Sequence, residues 1–249
     1  MLFQRSYLFF IAIIQICLLL LSCHDSKKTS PDKKRKIKQI QTQVKRLDSI
    51  DPDEVNNAIQ ELRQIGTSAV PILIEALEHD SVQLRSNSAR ALPVLGDSSY
   101  QAIPALVQAL SDKQASVREQ AAFSLGLIGA LTNIQSSNTN DTLVKQMLPA
   151  LVITLDDEST AVRSNAASAL GMLGEIAIDA VPVLVEALGS TDSNFRADII
   201  AALGLIGEPK SIIIPKLTES LKDESPDVRQ CANFHLERLS AINSVVIPP

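Results

Sequence analysis

A segment of 18 residues, Asp157 to Gly174, recurs along this chain at near-constant spacing, and nothing else restricts the fold as tightly. Its marks are a Val-Arg pair, an Ala-Ala step, a Leu and a closing hydrophobic-Gly pair. Asp112 to Gly129 repeats them as Val117-Arg118, Ala121-Ala122, Leu125 and Ile128-Gly129. Ser190 to Gly207 carries Phe195-Arg196, Ala201, Leu203 and Ile206-Gly207. Asp223 to Ser240 carries Val228-Arg229, Ala232, Leu236 and Leu239, and a weaker copy holds Leu84-Arg85, Ala89, Leu92 and Leu95-Gly96. The arginines Arg85, Arg118, Arg163, Arg196 and Arg229 are therefore separated by 33, 45, 33 and 33 residues. A fixed period of that size means stacked units, each too small to bury its apolar face alone.

A companion pattern has the same period. Pro71, Pro104, Pro149, Pro182 and Pro215 each have Leu two and six residues on. Proline is tolerated in a first helical turn, and leucines four apart share a helix face. Each unit is therefore expected to be a helix opening at Pro, an Asp-rich turn, a second helix opening at Val-Arg, and a Gly stop. From Gly to the next Pro is 8 residues at three junctions but 20 at Gly129 to Pro149, so one insertion of 12 explains the long gap. That insertion, Ala130 to Asp141, is polar and is expected to be a surface loop.

Pro-x-Leu…Leu followed by Asp…Val-Arg-x-x-Ala-x-x-x-Leu-x-x-Ile-Gly resembles the HEAT repeat, especially the short form named after phycobilisome lyases. The resemblance covers residues 51–240. It implies an all-α fold, an α-solenoid of about six helix pairs whose second helices line the concave side. It also implies that the recurrent Asp and Arg residues form a structural ladder between neighbouring repeats. Here those are Asp112, Arg118, Asp157, Arg163, Arg196, Asp223 and Arg229, and none of them is expected to be catalytic.

The ends of the chain are different. Residues 1–22 hold one charge, Arg5, before an apolar run from Tyr7 to Leu21. That run is shorter than the roughly 20 residues of a membrane-spanning helix and suits an export signal. Ending Leu20-Leu21-Ser22-Cys23, it resembles a bacterial lipobox, which implies lipidation at Cys23 and a protein held on a membrane in the cell envelope, facing the periplasm or the exterior. Residues 23–32 form a polar tether, and residues 33–249 are assigned to the solenoid. Ile37, Ile40, Val44, Leu47 and Ile50 follow a helical period and are expected on one stripe of a degenerate first unit. The tail, Ala241 to Pro249, is apolar enough to cover the last helix pair.

Charge then narrows the partners. Residues 24–48 carry a net +6, whereas residues 49–249 carry −12. A repeat region that acidic is poorly suited to nucleic acid, whose binding rests on cations meeting phosphates. No cofactor or metal is expected: His24, His79 and His235 lie far apart in sequence, and the cysteines form no C-x-x-C pattern. No nucleophile elbow or paired acid and base is visible, which argues against an enzyme.

Placing the second helices at 100° per residue leaves one arc turned away from the core. It holds Asn56, Gln60 and Arg63; Ser86, Arg90 and Pro93; Glu119, Phe123 and Gly126; Ser164, Ser168 and Gly171; Ala197, Ala201 and Gly204; Gln230, Phe234 and Glu237. The candidate partner-binding residues are Arg90, Glu119, Phe123, Ser164, Ser168, Gln230 and Phe234. Phe123 and Phe234 are either anchors for a partner or part of the packing between neighbours. The expected function is a membrane-anchored scaffold binding a protein or peptide. The family resemblance offers an alternative, a bilin lyase or isomerase-like subunit acting on a chromophore protein.

Overall fold

The computed structural model describes residues 30–131 and 138–244, and all regular structure among them is helical. Residues 1–29, which hold the expected signal segment, Cys23 and most of the expected tether, lie outside the described residues, as do residues 132–137 of the insertion and 245–249 of the tail. The chain divides into two units between Thr42 and Gln43. The described part of the first unit is one helix, α1 (Pro31–Arg46), which runs on into the second. Pro31 and Asp32, expected in the tether, open this helix, as a proline at a first helical position can.

The second unit is built from α2 (Pro52–Ile65) and then five helix pairs. The first helices are α3 (Val70–Ala76), α5 (Ile103–Ala109), α7 (Asn138–Thr154), α9 (Val181–Ala187) and α11 (Lys210–Ser220). Their partners are α4 (Val82–Ala91), α6 (Ala115–Leu131), α8 (Thr160–Leu173), α10 (Ser193–Ile206) and α12 (Pro226–Ser244). Side chains in the turns start several of these helices: Asp51 accepts from the Asp53 N–H, Ser81 from Leu84, and Asp192 from Asn194 and Phe195. Gly207 ends α10 in the left-handed region at φ 75°, where a Cβ would be strained, and its N–H closes on the Leu203 carbonyl.

Three junctions follow the expected punctuation. Pro71, Pro104 and Pro182 lie in the first turn of α3, α5 and α9, each after a short 3-10 segment. Two do not. Pro149 and Pro215 sit inside α7 and α11, where each removes one intrahelical hydrogen bond. In α11 the helix starts earlier because the Glu208 carboxylate accepts from the Lys210 N–H, and Ile213 donates to the Pro209 carbonyl. The insertion is also corrected. The α6 helix runs through Gly129 to Leu131, and α7 already begins at Asn138, so much of the segment expected to be loop is helix. Ile50 falls off the expected stripe, 90% exposed, because α1 stops at Arg46.

The core is the repeat read in three dimensions. Leu73, Leu106, Leu151, Leu184 and Leu217 are completely buried, one per first helix. Each contributes about 1.5–3 kcal/mol by removing its side chain from water. Val117, Ala121, Leu125 and Ile128 of α6 are likewise fully buried. The second leucine of the Pro-Leu-Leu pattern is buried just past the ends of α3, α5 and α7, but Leu221, after the last first helix, is exposed. Second helices also touch their successors through small residues. A Cβ on Gly126 would stand 2.5 Å from the Ala169 Cα, and one on Gly171 3.0 Å from the Ala202 Cα. Side chains also bridge neighbouring repeats: buried Ser124 donates to the Ala89 carbonyl of the preceding second helix, and Asn87 to the Leu47 carbonyl in the turn after α1.

The stretch Thr160–Ala187 is apolar and long enough by composition to cross a membrane. It is α8, a 3-10 segment and α9, broken at Gly174, and it belongs to the repeat packing rather than to one straight span.

Candidate functional site

The Asp-rich turns and the starts of the second helices form a row of ion pairs. Arg118 donates through Nε and Nη2 to both carboxylate oxygens of Asp157, at 2.7 and 2.9 Å. Arg85 does the same to Asp112 at 2.7 and 3.1 Å, and Arg196 to Asp223 at 2.9 and 2.8 Å. In each case the carboxylate comes from the following repeat. The aspartate six residues before an arginine serves it differently. Arg118 Nη1 donates to the backbone carbonyl of Asp112, and Arg163 Nη1 to that of Asp157. One aspartate therefore ties three things together: its carbonyl holds its own arginine, its carboxylate holds the previous one, and that carboxylate also accepts a backbone N–H. Those N–H donors are Gln114, Ser159 and Ser225, each at 2.8 Å. Planar bidentate pairing of this kind fixes orientation as well as distance.

The environment shifts the three carboxylates. Hydrogen bonds from Arg118 and Arg196 hold Asp157 and Asp223 below the usual carboxylate range, against the opposing effect of burial. Burial alone would raise Asp112, but Arg85 and the Gln114 N–H outweigh it and bring that group down too. A depressed folded pKa stabilises the fold above the unfolded pKa of about 3.9, and that stability is lost as pH falls through the folded values. Asp198 works the other way: burial raises it, so it costs stability above its folded pKa, and that cost is relieved as pH falls towards about 3.9, before the ladder carboxylates begin to lose theirs. Below that point only the three ladder carboxylates still change the balance, so unfolding by urea is expected to become easier from about pH 4 downwards. Flat urea midpoints between pH 5 and pH 2.5, followed by circular dichroism, would contradict the ladder's electrostatic role.

The ladder is not uniform. Arg163 approaches its nearest carboxylate, Asp192, only at 4.0 Å. Its Nη2 donates instead to the Thr160 hydroxyl at 2.8 Å, and its guanidinium lies 5.3 Å from the centre of the Phe195 ring. Arg229 is in the last repeat, exposed, and donates to the carbonyls of Asp223 and Glu224.

The expected partner-facing arc is only partly open. Phe123 is 39% exposed and Phe234 60% exposed, so neither is absorbed into the packing. Ser168 and Gln230 are exposed, while Glu119 and Ser164 are half-buried. Arg90 is half-buried and donates to Asn56 across the seam at 2.9 Å. Gly126, Gly171 and Gly204, expected on this arc, are buried between successive second helices. In the repeats of α6, α8 and α10 the arc is therefore two residues wide, not three, because small residues draw the helices together there; Pro93 is buried as well, whereas Glu237 in the last repeat is exposed. Sequence periodicity could not separate a glycine facing solvent from one facing a neighbour's backbone. A further row was missed: Asn87, Asp198 and Cys231 stand at one repeat position and reach back to the preceding repeat, Asn87 to the turn after α1 and the other two to the previous second helix. Asp198 bonds the Ser164 hydroxyl, and Cys231 contacts the Ala197 carbonyl at 3.6 Å.

Among the described residues no cluster of His, Cys, Asp and Glu is placed to hold a metal. His79 Nδ1 accepts from the Ser81 N–H, and His235 is buried against Gly204. Burial and the neighbouring Arg238 charge hold His235 below its ordinary pKa. These imidazoles sit in separate repeats, in roles that cap a turn and fill a helix seam.

Comparison with known proteins agrees with this architecture. A family model described as HEAT repeats matches residues 40–126, 70–146, 103–181 and 148–237. No curated protein matches the chain. Among solved structures, the complex of CpcE and CpcF of phycocyanin lyase from Nostoc sp. is similar at 26% identity and a TM-score of 0.59. That likeness covers 67% of this chain and 98% of the other. A designed armadillo repeat protein in complex with the peptide (KR)4 is similar at 21% identity and a TM-score of 0.56, covering 80% of this chain and 98% of the other. An Escherichia coli protein, YibA, reaches a TM-score of 0.61 at 22% identity, covering 88% of this chain and 79% of that one.

Proposed function

Because the chain belongs to the HEAT-repeat family, we propose that it is a non-enzymatic scaffold that binds another protein through the exposed arc of its second helices. The observation that carries this reading is the pair of exposed phenylalanines, Phe123 and Phe234, on a row otherwise made of small or polar residues. Aromatic side chains concentrate binding energy, and small neighbours let a second backbone approach. The acidic balance of residues 49–249 favours a protein or peptide over nucleic acid. The lipobox-like Ser22-Cys23 supports placing this scaffold in a bacterial envelope, tethered to a membrane by lipid on Cys23, with no metal or cofactor required.

A photo-reactive phenylalanine analogue at position 123 or 234 is expected to capture one protein in membranes that the same analogue at exposed Ile153 does not capture. Equal labelling from all three positions, or labelling of nucleic acid or pigment alone, would sink the reading. Mass spectrometry of the mature N-terminus tests the anchor separately: an unprocessed, unacylated chain removes it.

A second reading has its own support. The likeness to a phycocyanin lyase complex at 26% identity favours a bilin lyase or isomerase-like subunit acting on a chromophore protein. It predicts a cytoplasmic chain that changes the absorbance of added bilin, whereas the scaffold predicts no spectral change.

A further inference from the structure

One rung of the ladder has lost its carboxylate, and the loss can be traced to a single residue. In the complete rungs Arg85 reaches Asp112, and Arg196 reaches Asp223, 27 residues further on. The residue 27 beyond Arg163 is Ser190. Ser190 otherwise does what the ladder aspartates do. Its side chain accepts the N–H two residues on, from Asp192 at 3.2 Å, and its carbonyl accepts from Arg196 Nη1 at 2.9 Å. Only the carboxylate is missing. Asp192 does not replace it: its Oδ2 stays 4.0 Å from Arg163 Nη2, while its Oδ1 accepts from the N–H groups of Asn194 and Phe195. Among the described residues, Nε of Arg163, the atom that donates to the carboxylate in the three complete rungs, meets no acceptor.

The space beside this arginine is a cavity of about 510 Å³ with Val152, Leu155, Val183 and Phe195 on its walls. Phe195 stands where the other repeats have Leu84, Val117, Val162 and Val228, so both departures in this repeat face the same guanidinium. Asp156, Asp157 and Glu186 line the same cavity, the Asp157 carboxylate being paired with Arg118, and this acidic lining disfavours a polyacidic ligand.

We propose that the open rung at Arg163 receives a single carboxylate side chain of the partner protein, flanked by an apolar residue that enters the adjoining cavity. This rests on the scaffold reading and names the chemistry of its partner. The incoming carboxylate takes the bidentate geometry that Asp157 shows on Arg118, while the Phe195 wall and the valines cover the neighbouring aliphatic side chain. One acid beside one apolar residue is thus selected over both a neutral and a multiply acidic segment.

The test uses the full chain, with the Arg163 Nε–H resonance followed by NMR during titration with acetyl-Leu-Glu-Leu-amide and with its Gln counterpart. The expected result is a saturable shift with the Glu peptide, with affinity at least tenfold weaker for the Gln peptide and for acetate. Ser190→Asp, which supplies the missing carboxylate internally, is expected to weaken the Glu peptide at least tenfold, while Ser190→Asn does not. Equal affinity for Glu and Gln peptides, binding of acetate as well as the peptide, or indifference to Ser190→Asp overturns the proposal. The scaffold reading fails by different results. A partner captured through Phe123 and Phe234 and unaffected by Ser190→Asp leaves the scaffold standing and removes the rung as its contact.

Discussion

Replacing Arg118 by methionine is expected to cost about 3 kcal/mol of stability, the low end of what breaking a buried ion pair costs. The magnitude follows from what is left behind. Arg118 and Asp157 side chains are only 8% and 11% exposed, so the substitution strands a nearly buried carboxylate. The methionine fills most of the aliphatic volume but offers no donor. It also releases the Asp112 carbonyl and the contact to Glu158, which at 85% exposed contributes little. The net worth of the intact pair is a different quantity and is small, because bringing both charges out of water offsets most of their attraction. A double-mutant cycle separates the two. Asp157→Asn in the Arg118→Met background should recover part of the loss, with a coupling of about 1–3 kcal/mol. Urea midpoints measure it. A single-mutant loss under ~1 kcal/mol would place this rung among ordinary surface pairs.

The ladder also shows how far the sequence could be read. The period, the Leu and Ala core and the recurrent arginines are one-dimensional facts, and each helix pair sits where they put it. Which carboxylate meets which arginine is not one-dimensional. Asp112 is nearest in sequence to Arg118, yet it gives Arg118 a carbonyl and gives its carboxylate to Arg85. Proline and glycine were read as punctuation, which is true only where the backbone needs it. Pro215 sits inside α11 because Pro209 and Glu208 start that helix upstream, and Gly129 is passed over because the insertion lets α6 continue. The open rung was visible all along as Ser190 in an Asp column. Its meaning required knowing that the column serves the preceding repeat.

The glycines of the second helices carry the other large effect. Gly126→Val is expected to destabilise the chain by about 3 kcal/mol or more, at the top of the range for overpacked contacts. Intrinsic preference points the other way, since glycine in a helix interior costs roughly 1 kcal/mol relative to alanine. Packing wins because of what the new atoms meet. The first added carbon would lie 2.5 Å from the Ala169 Cα and 2.7 Å from its Cβ, and a backbone atom cannot rotate aside as a side-chain end can. Relief requires α6 and α8 to move apart, which loosens Leu125 and Leu170, both completely buried. Gly126→Ala should show the same sign at smaller size, its clash partly offset by propensity. Gly189, where an added carbon meets only the Glu186 carbonyl at 3.4 Å, supplies the control, and Gly189→Ala should stay within about 0.5 kcal/mol. Thermal midpoints of the three variants decide it. If Gly126→Ala stabilises as propensity alone would have it, the second helices do not approach through their glycines, and the partner-facing arc is three residues wide after all.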